Sequence, residues 1–85
     1  MTLAEATAEY RAANAALFRA VVAEAGTFAR ECETNIVSIE ENKGVRGMLA
    51  ASVETISARA AHRLAGERYD AARERFVRLA AEELR

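Results

Sequence analysis

Proline and tryptophan are missing from this chain of 85 residues, cysteine and histidine occur once each, and glycine occurs four times. Without proline nothing in the covalent chain forces a helix to stop. A single cysteine excludes an internal disulfide, and one cysteine with one histidine is too few for a recognisable zinc set. The acidic residues do not fall in the Glu-x-x-His pairs of a di-iron bundle, so no metal or other cofactor is expected. Glu or Arg interrupts every apolar segment well short of the roughly 18 residues that a membrane span needs. No N-terminal stretch has the layout of a signal peptide, and the expected compartment is the cytoplasm. Charge of one sign is also lacking. Lys and Arg number 12 against 13 Asp and Glu, for a net charge of −1. Nothing global therefore draws the chain to nucleic acid or to an anionic membrane.

What is present in quantity is alanine, arginine and glutamate, the composition of long helices rather than of sheets. Much of the 52% hydrophobic content is alanine, which buries little area per residue, so the core of this one small domain has to be thin. A thin core in a domain of this size favours a homo-oligomer or a bound protein partner. The charge is also unevenly placed. Residues 1–42 carry three Arg and seven Glu, while residues 43–85 carry nine Lys and Arg against six acids. The two halves should attract one another.

Thr2-Leu3-Ala4-Glu5 fits a capping box, with the Thr2 hydroxyl accepting from the Glu5 amide and the Glu5 side chain reaching back, and predicts a helix from Leu3. Leu3, Ala6, Tyr10, Ala13 and Leu17 then recur at spacings of three and four, and the stripe continues through Val21, Ala25, Phe28 and Cys32 after one extra four-residue step. Residues 30–49 are the one long stretch without alanine. There Ile36 and Ile39 extend the same stripe, predicting a first helix over about 3–42 that ends in a left-handed cap at Gly44. A short strand over 34–40 is the alternative, since Ile36 and Val37 are good strand formers. Beyond Gly47, the stripe Leu49, Val53, Ile56, Ala60 and Leu64 predicts a second helix over about 48–65, ended or kinked by Gly66. Tyr69, Ala72, Phe76, Leu79 and Ala80 predict a third over about 67–84. The expected architecture is a single all-α domain, a helical hairpin or three-helix bundle of coiled-coil character. Its interaction face would be drawn from Leu17, Val21, Phe28, Ile36, Ile56, Leu64, Tyr69, Phe76 and Leu79.

Few residues in this chain could carry chemistry. Cys32 lies between Glu31 and Glu33, an environment that opposes a thiolate nucleophile and suits a packing role. Gly44-Val45-Arg46-Gly47 is too short for a phosphate-binding loop and has no strand before it, so it reads as a turn. The basic residues Arg59, Arg63, Arg68, Arg73, Arg75 and Arg78 are interleaved with Glu67, Asp70 and Glu74 and with no stacking aromatics. That pattern suits a solvated face paired with the acidic first helix better than a nucleic-acid surface. His62 lies nearly opposite the Leu49–Leu64 stripe on a helical wheel, together with Thr55, Arg59 and Gly66, and is expected to point to water.

The segment Ala61-His62-Arg63-Leu64-Ala65-Gly66, followed by Phe76 and Leu79, resembles the motif of histidine-containing phosphotransfer (HPt) domains. In that motif an exposed helical histidine is followed by leucine two residues on and by glycine four residues on. The family usually has lysine where this chain has Ala65, and glycine near Ala72. The resemblance, confined to residues 61–79, implies that His62 accepts a phosphoryl group from a response-regulator aspartate. Arg59 and Arg63 would supply positive charge nearby, and Gly66 would leave room for the partner to dock.

The leading expectation is a non-enzymatic helical module for protein–protein interaction and assembly, oligomeric or partner-bound. The phosphorelay carrier using His62 is the alternative. A small antitoxin or regulator that binds a partner protein is a third reading.

Overall fold

The computed structural model describes residues 1–85 and contains two helices and no strand, α1 (Leu3–Glu40) and α2 (Arg46–Glu83). They pack side by side as an antiparallel hairpin of 66 × 15 × 13 Å. The all-α class and the hairpin therefore hold, and the three-helix alternative does not. Gly66 neither ends nor breaks α2. A Cβ built on it would meet nothing within 4 Å, and one glycine in a helix of 38 residues costs only about 1 kcal/mol against the hydrogen bonds on either side. Residues 34–40 are helical, as a strand with no second strand to pair with could not be.

The start of α1 is built as its sequence predicts. The Glu5 amide donates to Thr2 Oγ1 at 3.1 Å, and the Thr2 amide donates to Glu5 Oε1 at 3.1 Å. Its end is not. The left-handed residue is Asn42, with φ 52°, rather than Gly44. The Lys43 amide donates to the Ser38 carbonyl at 2.9 Å and that of Asn42 to Ile39 at 3.4 Å, the double bond pattern of a Schellman motif. Asparagine tolerates this conformation because its short polar side chain can bond locally.

The seam between the helices repeats every seven residues along its whole length. From α1 the residues turned inward are Leu3, Ala6, Tyr10, Ala13, Leu17, Ala20, Glu24, Thr27, Glu31, Thr34 and Ser38. From α2 they are Met48, Ala51, Thr55, Ala58, His62, Ala65, Tyr69, Ala72, Phe76 and Leu79. This is heptad packing, in which two positions per repeat face the partner helix. Alanine supplies every second layer over much of the seam and lets the helices approach closely. Only Ala6, Ser38, Thr55 and Ala72 are fully buried. The thin core anticipated from composition is thus thinner still, and half of those four residues carry hydroxyls.

The aromatic residues in the seam gather near the chain ends. Tyr10 stacks on Phe76 with ring centroids 5.0 Å apart and lies 5.5 Å from Tyr69, while the two tyrosine hydroxyls share a hydrogen bond of 3.1 Å. Beside them Arg75 bonds to Glu9. Here, and again at Glu24 with Arg59, the acid comes from α1 and the base from α2, in keeping with the opposite charge of the two halves.

Candidate functional site

The hairpin divides into two halves of different construction. In the terminal half, residues 3–20 of α1 meet residues 65–80 of α2 through Leu3, Tyr10, Leu17, Tyr69, Phe76, Leu79 and alanine, and the seam is apolar. In the turn-proximal half the same seven-residue phase brings Glu24, Thr27, Glu31, Thr34 and Ser38 opposite Ala51, Thr55, Ala58 and His62. Two straight, paired helices cannot change phase midway, so whichever residues occupy these positions must face inward. Small side chains make this tolerable, and two of the hydroxyls find local partners. Thr27 donates to the Glu24 carbonyl at 2.9 Å, and Thr55, 1% exposed, donates to the Ala51 carbonyl at 3.2 Å.

Glu24 is the centre of this polar half. One carboxylate oxygen bonds to Nδ1 of His62, and the other lies 3.4 Å from Nε of Arg59. A carboxylate only accepts, so His62 presents Nδ1–H to it and keeps Nε2 as the second ring nitrogen. The side chain of His62 is 38% exposed. It does not project to water on the face opposite the seam, and Thr55, expected on that same outward face, is buried. The reason is that Leu49, Val53, Ile56, Ala60 and Leu64 are not the face that packs on α1. Each of the four larger side chains among them is exposed.

The larger apolar residues of this half stand outside. On α1 they form a second stripe with its own seven-residue period: Asn14, Phe18, Val21, Ala25, Phe28, Cys32, Asn35 and Ile39, with Val22, Ala29 and Ile36 along its outer edge. No charged residue falls within it over roughly 38 Å of helix. Phe18 is 62% exposed, Val22 72%, Phe28 47% and Ile39 73%, and Cys32 is exposed. On the same side α2 contributes Ile56 and Ala60 around Arg59 and Arg63, and the Arg59 guanidinium stands 5.8 Å from the centre of the Phe28 ring. No protein-family model, curated protein or solved structure matches the chain.

The residues singled out from the sequence as an interaction face are divided by the structure. Leu17, Tyr69, Phe76 and Leu79 lie in the seam, whereas Val21, Phe28, Ile36, Ile56 and Leu64 are exposed. Of the basic residues, Arg59 and Arg75 are paired across the hairpin. No cluster of His, Cys, Asp and Glu could hold a metal ion, and no helix is long and apolar enough to cross a membrane. The residue that sequence reasoning missed is Glu24, whose signal was slight: it falls seven residues after Leu17, on the continuation of the first stripe.

Proposed function

We propose that the chain is a non-enzymatic helical module for protein–protein interaction, and that the uncharged outer stripe of α1 is its binding surface. The supporting observation is the inversion of the turn-proximal half, with hydroxyls and a Glu–His pair inside and Val21, Phe28, Ile36 and Ile39 outside. Contiguous exposed apolar surface on this scale marks an association site.

The test is a pair of charge substitutions, Val21→Glu and Phe28→Glu, outside the seam. Both variants should keep the circular dichroism of the parent and lose its association, seen as a fall in sedimenting mass or as loss of stripe-dependent partners in a pull-down from host extract. A wild-type chain that stays monomeric and retains nothing through the stripe would overturn the reading.

Phosphoryl transfer through His62 is a second reading. One observation favours it: Glu24 engages Nδ1 and leaves Nε2 outside that contact, with Arg59 alongside. It ranks lower because the same carboxylate would repel an incoming phosphoryl group, and because the ring belongs to the helix–helix seam.

A further inference from the structure

We infer that the turn between the helices is a processing site, at which an endopeptidase specific for basic residues cuts between Lys43 and Gly44 and frees α1 from α2. The site is separate from the outer stripe and uses none of its residues. Placement makes it specific. Of the 12 Lys and Arg residues, three lie in α1, seven lie in α2 and Arg85 is the last residue of the chain, so Lys43 alone stands between the helices. An acidic specificity pocket accepts such a side chain, provided that it is offered on exposed chain outside regular structure. Residues 41–47 are all exposed.

The peptide to be cut is held by nothing. The Lys43 amide donates to the Ser38 carbonyl at 2.9 Å, and there the bonding of the turn stops: neither the Lys43 carbonyl nor the Gly44 amide enters a backbone hydrogen bond. A Cβ built on Gly44 would meet nothing within 4 Å, so that side of the bond is open to an approaching enzyme. The Lys43 ammonium pairs with Glu41 at 2.8 Å, but the two side chains are 62% and 57% exposed, and an ion pair in water restrains them little. A protease takes its substrate as an extended segment, so the residues around the bond have to leave the turn. They can do so at small cost. Val45 provides no side-chain cap for α2, whose first turn holds Arg46 and no acid, while α1 ends on Glu40 with no base in its last turn. Each helix thus meets the turn with the charge that its dipole disfavours, and an uncapped end frays. Apart from Arg46, the helical arginines lie in continuous hydrogen-bonded backbone that would have to break on both sides.

Cleavage adds water across the Lys43–Gly44 amide, leaving a carboxylate on Lys43 and an ammonium on Gly44. The thin seam sets what happens next. With only four residues fully buried, the pairing of α1 with α2 depends on the covalent turn, which keeps the helices at an effective concentration in the millimolar range. Once cut, segments 1–43 and 44–85 meet only at their actual concentration. A seam of alanine, hydroxyls and one aromatic cluster does not offset the lost freedom of two separate chains at low micromolar levels. The cut is a one-way switch from hairpin to separate helices.

Limited digestion of the full chain with trypsin is the test. The first products should be 1–43 and 44–85, identified by mass, with every arginine site cut about 10-fold more slowly or worse. Lys43→Gln should keep the circular dichroism of the parent and lose these products. Size exclusion of the cut wild type at low micromolar concentration should resolve the two segments. A first cut at Arg46 or inside either helix overturns the assignment of the bond, as does an unchanged rate of first cleavage in Lys43→Gln or a chain that resists digestion until it unfolds. Segments that still migrate as one species overturn the release of α1 from α2.

Discussion

Glu24 and His62 place an ionisable pair where a two-helix seam would ordinarily carry leucine. The pair keeps contact with water, the His62 side chain being 38% exposed and that of Glu24 25%, so its attraction is screened and contributes little, whereas two leucines at these seam positions would add apolar burial. We predict that Glu24→Leu/His62→Leu raises stability by about 1 kcal/mol in urea unfolding. The single change Glu24→Leu should be worse than the double, since it strands His62 in the seam without its acceptor. A second residue-scale effect concerns Tyr69. The hydrogen bond with Tyr10, reinforced by burial, holds its hydroxyl above the ordinary value of 10.0. The folded state thus favours the protonated form. Its contribution is complete below about pH 10 and is lost as pH rises through the folded value. Helicity in moderate urea should accordingly fall above pH 10, and more steeply in the wild type than in Tyr10→Phe, where the shared hydrogen bond is gone.

At the scale of the element, the two helices were partly legible. The Thr2–Glu5 capping box, the absence of proline and the alanine content fixed the start of α1 and the all-α class. The register of the outer half was not legible, because each helix carries two stripes of equal periodicity and the eye follows the one with larger residues. The marks of the change of face were present. Ala13, Leu17 and Val21 are two four-residue steps in succession, which rotates the stripe off the seam. On α2 the step from Leu64 to Tyr69 is five. The apparent break at Gly66 was this same change of face, read as a helix end. Its backbone is plain helix with open space beside it, so Gly66→Ala should stabilise the hairpin by about 1 kcal/mol. Thermal unfolding should then shift upward by roughly 4–8 °C for a domain of this size. A destabilised Gly66→Ala would mean that another surface packs closely there. The terminus of α1 was misplaced for a related reason. Glycine is the commoner left-handed cap, and Asn42 came two residues sooner.

On the scale of the whole molecule, composition carried most of the information. A chain rich in alanine and short of large side chains was expected to have a thin core and to favour association. The hairpin realises the first point in an extended form, with a radius of gyration of 19.0 Å where a compact chain of this length would have about 12 Å. Which face would be left for a partner could not be read from composition, because that depends on the phase at which the terminal halves lock together.

The placement of the aromatic cluster near the chain ends also has a kinetic consequence. The layers next to the turn are the quickest to meet, yet they bring together mainly hydroxyls and small side chains and hold poorly by themselves. The first strongly attractive contacts join residues such as Tyr10 and Tyr69, 59 apart in sequence. Closing that loop costs about 1.6 kcal/mol more than closing one of ten residues. The hairpin is therefore built to clasp at its open end rather than to zip from the turn, and its folding rate should follow changes to Tyr10 and Phe76 far more closely than changes beside Gly44.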